Sequence, residues 1–241
     1  MAKPLLERQV SLIEHLTRPA AIFGGEGEVA ADLEGIDQAL LRVEARFSYA
    51  KRMEKITAVL PRTFESLGSG EAALVRAFVA GCPPTTMSRL ENARQFYRFL
   101  CLRWMREAPD PAYICDVAAC EMACAELDAE DQEPDRARGA VYARQSGIRR
   151  CPNVVLRRCA YDVRPIFETQ SKVVPTKRET PLAMALPPGS NGPQIFEVVP
   201  AVFDLLAVLD EWTDPQHLDA EPRVAKLLAD LASRGLIEVR R

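Results

Sequence analysis

The spacing of apolar residues changes character at a charged stretch midway along this chain. From Leu5 to about Leu127 they recur at three- and four-residue steps, the period of a helix face. Beyond the charged stretch DAEDQEPDRAR, residues 128–138, they come in short β-branched runs separated by Pro, Gly, Ser and Asn. A chain with that switch is expected to be α+β. The expected division is an all-helical domain over 1–130, a solvated linker over 131–150 and a second domain over 151–241. With 241 residues, each domain can bury a real core.

Within the first part, Leu33, Ile36, Leu40 and Leu41 form one predicted helical stripe, and Tyr49, Met53, Ile56 and Leu60 another that ends at Pro61. Ser88 followed by Glu91 has capping-box spacing ahead of Ala93, Phe96, Leu100 and Trp104. Pro109 and Pro111 stop that helix, and Tyr113, Val117, Cys120, Cys124 and Leu127 line the next. In the second part NVVLRRCAYDV, TPLAMALPP and PQIFEVVP read as three strands. After Pro200 the period is again helical, through Val202, Leu205, Leu206 and Leu209 and then Val224, Leu227, Leu228 and Leu231. Gly235 is placed to cap the last helix, and IEV to add a short strand.

Composition excludes several function classes. Acidic residues number 34 against 31 basic, too even a balance for a protein devoted to phosphate neutralisation. The N-terminus interleaves charge with apolar residues, so no signal peptide is expected, and no run is long enough to span a bilayer. A cytoplasmic protein with reduced thiols is expected, without membrane partners. Only His15 and His217 could serve as imidazole bases or ligands, so no catalytic residue and no resident metal or other cofactor is expected in this chain.

The remaining motifs have bland explanations. Cys120 and Cys124 share one helix face, but Cys115 points nearly the opposite way, so core packing is favoured over a metal–thiolate enzyme. His217 reads as an exposed loop residue. GGEGEVA places Gly25, Gly27 and Ala30 as in a dinucleotide fingerprint, yet it follows a helix, and Glu26 and Glu28 would repel a pyrophosphate. The last helix is only thinly basic and has no Asn or Gln, which disfavours a winged-helix DNA-binding regulator and any nucleic-acid partner.

A sheet edge that accepts an extended peptide fits better. The strand Gln194, Ile195, Phe196, Glu197 and Val198 supplies the edge, and Arg223, Lys226, Leu227, Asp230 and Arg234 of the last helix supply a mixed apolar and basic wall. An acidic amphipathic peptide would suit it. Phe196→Pro, which removes a backbone donor, is expected to weaken binding if that amide faces the peptide.

RFSYAKRMEKITAVLPRTFESLG, through Tyr49, Leu60, Pro61, Phe64, Leu67 and Gly68, resembles a known helical domain, as does PDPAYICDVAACEMACAEL through Pro111, Tyr113, Asp116, Ala118 and Glu121. It is the N-terminal domain of the MbnC, TglI and HvfC family, partner subunits of TIM-barrel multinuclear iron oxygenases. PNVVLRRCAYDVRPIFE resembles the strand that opens the second domain of that family, and LLADLASRGLIEV is similar to the last helix of a RiPP recognition element, a PqqD-like winged-helix fold. The resemblance implies a non-catalytic subunit whose first domain contacts the oxygenase and whose second holds the leader of a precursor peptide. Iron is then expected in the oxygenase partner. The implied chemistry is oxidation of a peptidyl cysteine: β-carbon excision in 3-thiaglutamate biosynthesis, favoured because CAYDVRPIFE is closer to that subunit, or oxazolone and thioamide formation of the methanobactin type.

Overall fold

The computed structural model describes residues 5–25, 33, 35–131, 147–168, 173–214 and 222–240. It is an α+β protein with an N-terminal helical region and a small C-terminal sheet. Two compact units divide at Cys115/Asp116. That point lies inside one helix, so most of the segment Ile114–Asp131 groups with the C-terminal unit, upstream of the charged stretch.

The first unit contains α1 (Leu5–Thr17), α2 (Pro19–Phe23), α3 (Gln38–Thr57), α4 (Pro61–Leu67), α5 (Glu71–Gly81) and α6 (Arg89–Trp104). Asp37 caps α3 by accepting from the Ala39 amide at 2.8 Å, which starts that helix after Leu33 and Ile36 rather than through them. Pro61 opens α4 from the first helical turn, where its missing N–H costs nothing. Half of the expected capping box forms: Ser88 Oγ accepts from the Glu91 amide at 3.4 Å. The Ser88 amide instead donates to Thr86 Oγ1 at 3.1 Å, while the Glu91 carboxylate pairs with Arg94.

Phe96 centres the core of this unit. Its ring stacks on Phe64 at 5.2 Å and meets the edge of Phe78 at 4.9 Å, with Ile56, Leu60 and Leu100 also buried. Arg52 is buried as well. Its guanidinium lies over the Phe78 ring at 4.5 Å and donates to Asn92 Oδ1 at 3.1 Å and Gln95 Oε1 at 2.6 Å. Leu40 also departs from its expected place: Leu41 is buried, but Leu40 faces solvent.

The second unit takes most of α7 (Ile114–Asp131) and adds β1 (Gly147–Arg150), β2 (Val155–Asp162), α8 (Arg164–Glu168), β3 (Thr176–Ala185) and β4 (Gln194–Glu197). It ends with α9 (Pro200–Val208), α10 (Pro222–Ser233) and β5 (Ile237–Arg240). Strands β2, β3 and β4 form an antiparallel sheet in that order, from the three runs expected to be strands. The short strand after Gly235 forms too. Its partner is β1, which lies in the segment expected to be linker, and the two make a separate antiparallel pair.

The three-stranded sheet is covered on both faces. Ala183, Ala185, Val198 and Phe196 pack with Phe203 and Leu206 of α9 and with Leu227 and Leu231 of α10. On the other face Cys159 of β2 meets Cys120 of α7, with the two sulfurs 4.0 Å apart and both residues buried. Asp116 of α7 accepts from the Tyr161 amide at 3.0 Å, beside the bulge between Cys159 and Tyr161. Burial pushes the Asp116 carboxyl above its ordinary range, although the Tyr161 and Ala160 amides pull it back.

Gly235 ends α10 at φ +70°, as its position suggested. The Leu236 amide reaches back to Leu231 O at 2.9 Å, closing a Schellman-type turn. A Cβ there would come within 3.2 Å of Leu186 O and Pro187 Cα as well as meeting the left-handed penalty. Gly235→Ala should therefore lower unfolding free energy by about 1–3 kcal/mol, readable by urea melts.

Candidate functional site

The edge of the sheet at β4 is built by a sequence in which a strand runs directly into a helix. Val199 keeps extended angles, φ −66° and ψ 151°, and Pro200 begins α9 at the first helical position. The Phe203 amide then returns to Val199 O at 3.0 Å, fixing the strand end to the helix start. Phe196 packs toward the helix-side core, and Arg234 of α10 lies over its ring at 5.4 Å. Edge strand and helix wall thus meet through these two residues.

The pairing phase decides which backbone groups are free. In the β3–β4 register, Leu182 opposes Glu197, Ala183 opposes Phe196, Met184 opposes Ile195 and Ala185 opposes Gln194. The next position continues the ladder, with the Val198 amide donating to Pro181 O at 3.0 Å. Bonded and non-bonded pairs alternate in an antiparallel ladder. Phe196 and Gln194 therefore turn their N–H and C=O groups toward β3, while those of Ile195 and Glu197 point out of the sheet. The expectation for Phe196→Pro is corrected accordingly: its amide belongs to the ladder, and the Ile195 amide is the outward donor.

The sequence-selected residues fall into distinct roles. Gln194 and Glu197 are exposed and Ile195 and Phe196 half-buried. Val198 sits behind the edge, with its side chain in the core. On α10, Arg223 and Lys226 are exposed, Leu227 packs partly against the core, and Asp230 pairs with Arg234 at 3.0 Å. The cationic wall is thus carried by Arg223 and Lys226 together with the Phe196-stacked Arg234.

Sequence reasoning missed a charge ring at the end of β4. Asp162 accepts from Arg164 at 2.9 and 2.7 Å and from Arg178 at 2.7 Å. Glu197 accepts from Arg178 at 2.6 Å and also pairs with Arg164. Both Glu197 oxygens are therefore engaged within the fold, leaving its backbone as the part open to a ligand. The alternation of acid and base at positions 162, 164, 178 and 197 was visible in the sequence, but only strand pairing brings the four together.

The Arg164 hydrogen bonds, reinforced by Arg178, hold the Asp162 carboxyl down at about 2, and Arg178 holds Glu197 below the usual carboxylate range. A carboxylate depressed by folding stabilises above its unfolded pKa, near 4, and loses that contribution as pH falls toward 2. Asp162→Asn should cost on the order of 1 kcal/mol at neutral pH after solvent screening. Its gap from the wild type should close between about pH 4 and 2, measurable by denaturant unfolding at each pH.

The opposite edge, at β2, is interrupted by its bulge and by the Asp116 carboxylate on the Tyr161 amide. Such devices blunt an edge against further pairing. Among the described residues no further strand pairs with β4.

Elsewhere, burial and the contact with Cys159 raise the Cys120 thiol well above its ordinary range, the contact being the larger cause. Burial, with Glu121 nearby, raises Cys124 to about 11. Protonated thiols of this kind pack as small hydrophobes and are poor nucleophiles. Among the described residues no three His, Cys, Asp or Glu side chains gather as a metal site. His15 lies half-buried on α1. His217, Glu26, Gly27, Glu28 and Ala30 fall outside the described residues. No described helix is long and apolar enough to cross a membrane.

No family model matches the chain, and no curated protein matches it.

Proposed function

We propose that this chain is the accessory, leader-binding subunit of a heterodimeric iron-dependent oxygenase that modifies a cysteine of a ribosomally made precursor peptide. The supporting observation is the β4 edge beside α10, with which no further described strand pairs. Ile195 and Glu197 turn their backbone groups outward there, and Phe196 with Arg234 joins strand to helix. An extended leader adds to this edge as a further strand, and its side chains on the helix side meet Leu227, Arg223 and Lys226. Three strands followed by α9 and α10 suit a PqqD-like winged-helix recognition domain.

In this reading the iron and the oxidation chemistry belong to a TIM-barrel partner, and the helical domain contacts that partner. Holding the leader at a distance from the reacting cysteine raises the local concentration of that cysteine at the iron centre. β-Carbon excision of the 3-thiaglutamate type is the favoured reaction. Fluorescence anisotropy with a labelled leader from the precursor encoded beside the oxygenase tests the binding step. Saturable binding supports the reading. A leader that binds the oxygenase alone, and not this chain, refutes it.

A further inference from the structure

Arg52 of α3 is the one buried cation among the described residues, with 8% of its surface exposed. Buried charges are ordinarily matched by an opposite charge, because burial strips away the water that would stabilise them. Arg52 lacks that match. No carboxylate among the described residues pairs with it, and the one ionisable group whose charge acts on it is Cys82, just past α5. Its contacts are neutral: the Phe78 ring and the amide oxygens of Asn92 and Gln95. Burial accordingly pulls the guanidinium below the usual arginine range.

Which edge of the guanidinium those amides occupy decides what is left over. Asn92 accepts from Nε and Gln95 from Nη2, so together they take the side-on edge. The end-on edge stays open. Nη1 has no hydrogen-bond partner among the described residues and, unlike Arg157 Nε, is not sealed from solvent. With Nη2 it offers two parallel donors, the spacing that a carboxylate accepts with both oxygens.

The fork is also held in place. The Asn92 amide nitrogen donates to Thr86 O at 3.0 Å and Ser88 O at 2.7 Å, and that of Gln95 to Pro83 O at 2.9 Å. With both nitrogens committed to the loop 83–88, both oxygens must face Arg52. Lys55, one turn further along α3, donates to Met87 O at 2.8 Å, and Met87 is 82% exposed, more than any other large apolar residue described. A desolvated arginine near an exposed methionine matches the centre of an interface better than ordinary surface. One fork in a chain of net charge −3 suits a single carboxylate, not a polyanion. A free carboxylate held by that fork alone would exchange readily with water, whereas one carried on a protein surface is retained by the contacts around it.

We infer that the open edge of Arg52 receives an aspartate or glutamate side chain from the protein that docks on the helical domain; taking that protein to be the oxygenase rests on the reading proposed above. The test is isothermal titration of the full chain with purified oxygenase. Arg52→Gln should weaken binding by roughly tenfold or more. Gln95→Glu separates a docking role from a structural one. It gives Arg52 a carboxylate from within the fold in exchange for the hydrogen bond to Pro83, so the melting temperature should hold while binding again weakens by roughly tenfold. Wild-type affinity in either variant, once helical circular dichroism shows it folded, overturns the proposal and leaves the subunit reading standing. A wild-type chain that does not bind the oxygenase at all overturns both.

Discussion

Ile195→Pro should leave the protein folded and weaken leader binding by roughly tenfold or more, whereas Phe196→Pro should unfold the second unit. The two substitutions are adjacent and chemically identical in what they add. They differ in which way the lost N–H points. The Ile195 amide faces outward from β4, where proline is tolerated on an edge strand, and its loss removes a donor from an added peptide strand. The Phe196 amide faces Ala183, and its side chain packs against the helix-side core. Replacing it breaks a ladder bond and empties part of that core at once. Anisotropy with a labelled leader, alongside thermal melts, separates the cases. Equal effects of the two prolines on binding and on melting would contradict the register argument.

The largest loss of stability should follow Phe96→Ala. This ring is fully buried and touches Phe64 on its face and Phe78 at its edge, with Phe99 centred 6.3 Å away. Removing it leaves a cavity that three neighbouring rings cannot close by small movements. The expected cost is about 3–5 kcal/mol, from lost transfer energy plus the cavity. Urea unfolding followed by helical circular dichroism reads it. A cost near that of an exposed substitution, about 0.5 kcal/mol, would mean that the aromatic cluster is not the centre of the unit.

What the sequence made legible was local. The strand runs, the paired helical periods after Pro200, the Ser88 cap and the glycine that closes α10 depend on neighbours a few residues away, and each takes its expected place. Gly68, one of the residues carrying the family resemblance, likewise sits at positive φ, 56°, where α4 ends. Leu60 and Phe64, two others, are buried in the core.

What stayed hidden depends on distant partners. GIRR carries no alternation of apolar and polar residues, and it is a strand only because β5 pairs with it some ninety residues later. The outward phase of β4 could not be read from QIFE itself, because period two has two phases and only the register with β3 selects one. The same holds for the ring of Asp162, Arg164, Arg178 and Glu197. Leu40 misled for another reason: an apolar residue on helical spacing looks like core whether its stripe faces inward or outward.

The central claim is that this chain holds the peptide while a barrel partner carries the iron. Reconstitution with the purified oxygenase and full-length precursor, followed by mass spectrometry of the precursor cysteine, tests it most directly. The account predicts efficient modification only when both proteins are present, with Ile195→Pro slowing it at limiting precursor. An oxygenase that modifies the precursor equally well without this chain, or a chain that modifies it unaided, would contradict the account.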